Sequence, residues 1–153
     1  YAPPTGKAPQ MPLDNHHSGL IYAMVLAAAA DGEVRESELM TIDETMLVLP
    51  IFADFQRANF GPIAASCIEL LSEEDGIETA IALIKGAMPA RLYPTAYALA
   101  CDVVAVDGVA TQEELRLLEM MRHSLDVDRL TAAAIERGEA ARFARPRPEN
   151  GAR

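Results

Sequence analysis

The strongest constraint on the fold is an internal repeat, because residues 20–49 align with residues 96–125 at a shift of 76 positions. Each copy has an alanine-rich apolar stretch, an Asp-Gly pair and an amphipathic stretch that opens with glutamate. The six identities are Ala29/Ala105, Asp31/Asp107, Gly32/Gly108, Glu38/Glu114, Leu39/Leu115 and Leu49/Leu125. Two similar helical hairpins in one small chain predict an internal pseudo-two-fold axis.

The rest of the chain also has helical periodicity. Aromatic residues make up only 5% of the chain and no stretch shows β-branched alternation, so we predict no strand. The patterns predict helices over 15–30, 35–48, 62–71, 76–86, 112–124 and 127–142, another that ends near 106, and a short piece over 52–59. We therefore predict an all-α, compact bundle of about seven to eight helices, in which helical hairpins repeat.

The composition also predicts the limits of the domain. A chain of 153 residues with 50% hydrophobic residues fits one domain, which we place at 13–143. Residues 1–12 are rich in proline and are predicted to be a flexible segment, a linker or a remnant of something longer. Residues 144–153 are predicted to be a disordered tail.

The charge balance excludes several partners. The chain has 23 acidic and 13 basic residues, a net charge of −10, which disfavours nucleic acid and anionic lipid as ligands. The apolar run over 19–30 is too short to span a bilayer, so we predict a core helix and no membrane insertion. Cys67 and Cys101 are predicted to be buried thiols in a reduced compartment.

Catalytic motifs are missing from the sequence. It contains no glycine-rich phosphate loop, no H-E-x-x-H and no G-x-S-x-G, so we predict a protein that is not an enzyme and that uses no organic cofactor. His16 and His17 are expected to form an exposed dipeptide at a helix start. Phe52, Phe55 and Phe60 are expected to belong to the core.

Four acidic residues of the repeat form a candidate metal site. In each copy the glutamate follows the aspartate by seven residues, so pseudo-two-fold packing could bring together Asp31, Glu38, Asp107 and Glu114. Four carboxylates would repel one another, and a divalent cation would relieve the repulsion. Oxygen ligands favour calcium, magnesium or manganese over zinc.

Helix capping is the alternative role for the two glutamates. Thr111 and Glu114 have the spacing of a capping box, and Glu38 has the equivalent position, with Arg35 where Ser or Thr is expected. Capping explains the glutamates but leaves the aspartates unexplained. Arg35 could also pair with the carboxylates. The rival functions are therefore a metal-independent acidic interaction or scaffold module, and a metal hydrolase that uses the same four residues.

The repeated motif, Asp31-Gly32 with Glu38 and Asp107-Gly108 with Glu114, resembles the TerB-like family of tellurite-resistance proteins. The resemblance covers residues 13 to 143. It implies an all-helical fold with internal symmetry, a bacterial cytoplasmic setting and a divalent metal held by the acidic residues of the repeat. It also implies a role in tellurite resistance and stress responses, as an accessory module beside a membrane-associated protein partner.

Overall fold

The computed structural model describes residue 13, residues 15–106 and residues 108–147. Within these ranges it has no strand and seven α-helices: α1 (His16–Ala28), α2 (Glu36–Val48), α3 (Phe60–Leu71), α4 (Gly76–Gly86), α5 (Tyr93–Ala105), α6 (Gln112–Ser124) and α7 (Arg129–Arg142). Short 3-10 helices lie at Pro50–Phe52, Arg57–Asn59 and Ala90–Leu92. The predicted all-α fold is confirmed.

Helix α1 is the centre of the bundle. Every residue from His17 to Ala28 is buried, because α1 is apolar on all sides and packs against α3, α4 and α5. The side chain of Asn15 caps the helix by accepting a hydrogen bond from the backbone N–H of Ser18 at 3.2 Å. A Cβ atom at Gly19 would lie 2.7 Å from Cε of Met88, so glycine permits the close approach of α1 to the segment after α4.

The outer helices are attached to this centre unequally. Helix α5 packs against α1, and α7 in turn packs against α5. Helix α2 buries only Ile42 and Met46, and it leaves Leu47 and Val48 exposed. The core therefore lies between α1, α3, α4 and α5, with α2 and α7 on the periphery.

The Asp-Gly turns place both glycines in the left-handed region, with φ of 95° at Gly32 and 80° at Gly108. The N–H of Gly32 donates to the carbonyl of Ala29 at 2.9 Å, and that of Gly108 donates to the carbonyl of Ala105 at 3.0 Å. The two glycines thus have the same backbone conformation and equivalent hydrogen bonds. The helix predicted over 15–30 is shorter in the structure, because α1 ends at Ala28 and Asp31 lies in the turn that follows.

His17 also differs from its prediction as an exposed residue. It is buried, and its Nε2 donates to the carbonyl oxygen of Ile51 at 2.9 Å. Its ring packs against those of Phe52 and Phe55, at centroid distances of 5.5 and 5.2 Å. The residues after α2 therefore cover this imidazole, a tertiary contact that the local sequence does not show.

The predicted burial of the two cysteines is confirmed. Cys67 and Cys101 are both buried and free, and burial raises the pKa of each thiol to about 12. A thiol with so high a pKa is a poor nucleophile.

None of the described helices combines the length and apolar character needed to cross a membrane. The predicted N-terminal segment 1–12 and residues 148–153 of the predicted tail lie outside the described residues.

Candidate functional site

Glu114 of the predicted acidic set is the third residue of helix α6. Its backbone N–H donates to Oγ1 of Thr111 at 3.1 Å, and its Oε2 accepts from the N–H of Thr111 at 2.9 Å. This reciprocal pair is the capping box that the spacing predicts, and it satisfies backbone donors that have no partner within the helix.

Glu38 has the equivalent position at the start of α2. Its Oε2 accepts from the backbone N–H of Arg35 at 2.9 Å. The guanidinium of Arg35 has no acceptor atom, so its side chain cannot accept the return hydrogen bond that Thr111 accepts in the second hairpin. The first hairpin therefore has only half of the capping box.

Asp31 stabilises the turn that follows α1. Its side chain is exposed, and its Oδ1 accepts from the backbone N–H of Glu33 at 3.2 Å. An aspartate that accepts from the N–H two residues later forms an Asx turn. This contact gives Asp31 a structural role that capping alone did not provide. Asp107, its equivalent in the second copy, lies outside the described residues.

The structure does not test the metal site as a set of four. Among the described residues, no three His, Cys, Asp or Glu side chains form a group that could hold a metal ion. The predicted set includes Asp107, so metal binding by these residues stays a prediction. Glu38 does share a small cavity of about 30 Å³ with Asp102 of α5, which places one predicted ligand beside a carboxylate outside the predicted set.

A larger feature is an apolar groove where the ends of α1 and α3 meet the starts of α4 and α6. Its volume is about 420 Å³, and its apolar lining includes Leu26, Ala30, Leu71, Ile77, Leu117 and Met120. Sequence periodicity predicts that Ile77, Ile81 and Ile84 all face inward. Ile81 and Ile84 are buried, but the prediction is wrong for Ile77, which is 39% exposed at the groove.

Two carboxylates lie in the lining of this groove, which we call the acidic groove. Glu78 and Glu113 line it, and Arg116 is the one cation among its described lining residues. Other exposed acidic residues lie near lining residues in the chain, namely Asp31 and Glu33 on either side of Gly32, and Glu74 and Asp75 just before α4, which contributes Ile77 and Glu78. The acidic run before α4 is visible in the sequence, but the groove is not, because only the packing of four helices creates it.

A second acidic cluster joins α5 to α7. Nη1 of Arg142 lies 3.1 Å from Oδ1 of Asp102 and 3.4 Å from Oε1 of Glu139, and both carboxyl side chains are only 13% exposed. Burial, together with the nearby carboxylate of Asp102, raises the pKa of Glu139 to about 7. We call these three residues the α5–α7 cluster. No local motif in the sequence marks it, because Asp102 lies 40 positions from Arg142.

Comparisons of the chain with protein-family models, with curated proteins and with solved structures gave no significant match. The resemblance to the TerB-like family therefore stays a prediction carried by the repeated Asp-Gly…Glu motif. Any function of this chain has to be inferred from its residues and their geometry.

Proposed function

We propose that this chain is a non-enzymatic helical module that binds a protein partner through the acidic groove. The observation that carries the proposal is the groove itself, where Ile77 is exposed beside half-buried Leu71 and Met120, and where the carboxylates of Glu78 and Glu113 lie in the same lining. Exposed apolar surface with a polar border is typical of interaction sites. This function is the metal-independent alternative that the sequence left open.

The contacts of the acidic repeat residues support this alternative. Glu38 and Glu114 accept hydrogen bonds from the N-cap backbone of α2 and α6, and Asp31 accepts one within its turn. These contacts account for the three residues through helix and turn formation, with no need for a ligand. The carboxylates at the groove have a different role in the proposal, since they would attract a positively charged partner and speed its association.

Site-specific photo-crosslinking in cells that express the protein tests this function. A photoreactive amino acid replaces Ile77 in the groove, and the matched control replaces Leu130, which is 81% exposed on α7. We expect a partner adduct from position 77 and none from position 130. The adduct should decrease with added salt, because salt screens charge attraction, and should be insensitive to chelator. Equal labelling at both positions, or none at 77, would refute the proposal.

Divalent metal binding by Asp31, Glu38, Asp107 and Glu114 is our second proposed function. The observation that favours it is that Glu38 and Glu114 both occupy the third position of their helices, each after a left-handed glycine. Calcium, magnesium or manganese would suit these oxygen ligands. On this proposal the chain would have the TerB-like role in tellurite resistance and stress responses in the cytoplasm, beside a membrane-associated partner.

Thermal unfolding of the metal-stripped protein tests the second proposal. Calcium, magnesium, manganese and zinc are added to the protein and to a Glu38→Gln/Glu114→Gln variant. Glutamine keeps the capping acceptor, so the variant should fold normally without metal. A ligand of the folded state at 100 times its Kd would add about 2.7 kcal/mol. A flat response to every ion would refute metal binding, whereas a selective rise in Tm that the variant loses would support it.

A further inference from the structure

We propose that the acidic groove binds an amphipathic α-helix of a partner protein, whose apolar face enters the groove between flanking lysine and arginine residues. The inference rests on the proposed protein-binding function and adds the conformation and the charge of the bound segment. Three properties of the groove support it: its secondary structure, its lining and its surrounding charge.

The secondary structure and lining of the groove favour a helix over an extended peptide. The groove is formed by helix ends and turns, and the described residues include no strand whose edge could pair with an added strand. Polyproline segments bind grooves lined by aromatic rings, and none of the described residues that line this groove is aromatic. Among the common modes of peptide recognition, an apolar groove between helices fits an amphipathic helix.

The side chains in the groove suit apolar anchors from such a helix. Ile77 and Met120 are accessible at the surface, and Leu71 lies at the end of α3 beside them. Methionine is flexible and polarizable, so Met120 can adapt to side chains of different shape. A volume of about 420 Å³ gives room for more than one large apolar side chain.

The surrounding charge selects a basic helix. Glu78 and Glu113 line the groove against one lining cation, Arg116, and further exposed carboxylates lie in the adjoining turns. Lysine or arginine beside the apolar anchors would meet these carboxylates, whereas an acidic helix would be repelled.

The charge and composition of the chain disfavour other occupants. A second copy of this chain carries a net charge of −10 and would be repelled by an acidic site. The segment 1–12 of the chain itself contains four prolines, a composition that opposes a helix. The inference is therefore to a separate, basic partner.

A synthetic peptide provides the direct test. The probe is an 18-residue fluorescent peptide with leucine at i, i+3, i+4 and i+7 positions and lysine on its flanks. One matched peptide has glutamate in place of lysine, and a second has two central leucines replaced by proline. Fluorescence anisotropy at two salt concentrations measures the Kd of each peptide for the full chain. We expect the lysine peptide to bind at least tenfold more tightly than either control.

Charge-matched variants show where the probe binds. Glu78→Lys/Glu113→Lys changes the groove, and Glu36→Lys/Glu44→Lys makes the same change of net charge on exposed positions of α2. We expect at least tenfold weaker binding for the groove variant and less than threefold for the α2 variant. Ile77→Ser should also weaken binding more than Leu130→Ser. Circular dichroism verifies that each variant keeps its helical content.

Several results would overturn the inference. Equal weakening of peptide binding by both charge variants would mean non-specific charge attraction to the chain. Equally tight binding of the proline peptide and the lysine peptide would mean that the ligand binds in an extended conformation. A crosslink from position 77 to a second copy of the chain would refute the separate partner. If the lysine peptide fails to bind while a partner still crosslinks from position 77, the basic helix is wrong and the proposed function stands; loss of that crosslink as well refutes both.

Discussion

The two hairpins of the repeat have the same order of elements but different contacts. In both, a 13-residue helix is followed by a turn with a left-handed glycine and by a second 13-residue helix with glutamate at its third position. The second hairpin has the reciprocal Thr111–Glu114 capping box, whereas the first has only the hydrogen bond from the N–H of Arg35 to Glu38. The repeated residues therefore specify the turn, and the residues between them determine how firmly each second helix is anchored.

Packing separates the hairpins further. Helix α1 is buried on all sides, whereas α5 has partly exposed residues and is covered by α7. Helix α2 buries two side chains, and α6 buries Leu117, Leu118 and Met121. Similar sequence at a turn thus predicts similar backbone there. The elements that pack against each helix determine how much that helix contributes to the stability of the fold. Substitutions at matched positions of the two hairpins can break or sharpen this comparison.

The largest effect is expected from the paired core positions Ile42 and Leu118, which the repeat aligns and which both lie buried. Replacing either with alanine removes apolar contacts and leaves a cavity, at a cost of about 3 kcal/mol of unfolding free energy. Urea denaturation measures both variants, with exposed Leu130→Ala as the control. A loss below about 1 kcal/mol for Ile42→Ala alone would mean that α2 is not part of the cooperative fold, and would break the equivalence of the hairpins.

The α5–α7 cluster joins the second hairpin to α7 and predicts a pH dependence. Burial raises the pKa of Glu139 from its ordinary value of 4.5 to about 7, so the unfolded chain releases this proton at lower pH than the folded chain does. The contribution of Glu139 to stability is therefore fully present below the unfolded pKa and is lost as the pH rises from about 4.5 through 7. Because Glu139→Gln keeps the shape and removes the titration, we expect it to stabilise the protein at pH 8 by about 2 kcal/mol.

Urea denaturation between pH 4.5 and 8 measures that dependence in the natural chain and in Glu139→Gln. The control is Glu74→Gln, because Glu74 is exposed in the turn before α4. The difference between Glu139→Gln and the natural chain should grow with pH, while that of the control should stay constant. A constant difference for both variants would show that the pKa of Glu139 is the same in the folded and the unfolded chain, and would contradict the prediction.

The next largest effect on stability is expected from substitutions of the two glycines in the turns. A left-handed backbone is strained for residues with a side chain, so Gly32→Ala and Gly108→Ala should each cost about 1 kcal/mol. A Cβ atom would meet nothing within 4 Å at Gly32, but at Gly108 it would lie 3.1 Å from Nε of Arg145. The effect should therefore be slightly larger at Gly108. Asparagine tolerates this conformation better than alanine, and its variants should recover part of the loss in a thermal melt.

The agreement between sequence and structure depends on how local the signal is. Helix limits depend on caps, prolines and periodicity within a few residues, so α4 and α6 begin and end where the pattern predicts. The burial of His17 and the exposure of Ile77 depend on segments far away in the chain. The sequence predicts an exposed His17 and an inward-facing Ile77, and both predictions are wrong. The candidate site divides in the same way. Capping by Glu38 and Glu114 was predictable from spacing, whereas the acidic groove and the α5–α7 cluster arise from tertiary packing.

The smallest effect is expected from substitutions at the N-caps of α2 and α6. One of them would give the first hairpin the cap that the second already has. Arg35→Thr supplies the hydroxyl acceptor that the first hairpin lacks, and we expect it to stabilise the protein by about 0.5 kcal/mol. Thr111→Ala removes that acceptor from the second hairpin and should cost about 1 kcal/mol. Thermal unfolding of both single variants, with Arg35→Ala as the control for loss of the guanidinium, measures the difference. If Arg35→Thr and Arg35→Ala change the stability equally, the hydroxyl forms no cap, and the first hairpin differs from the second in more than one side chain.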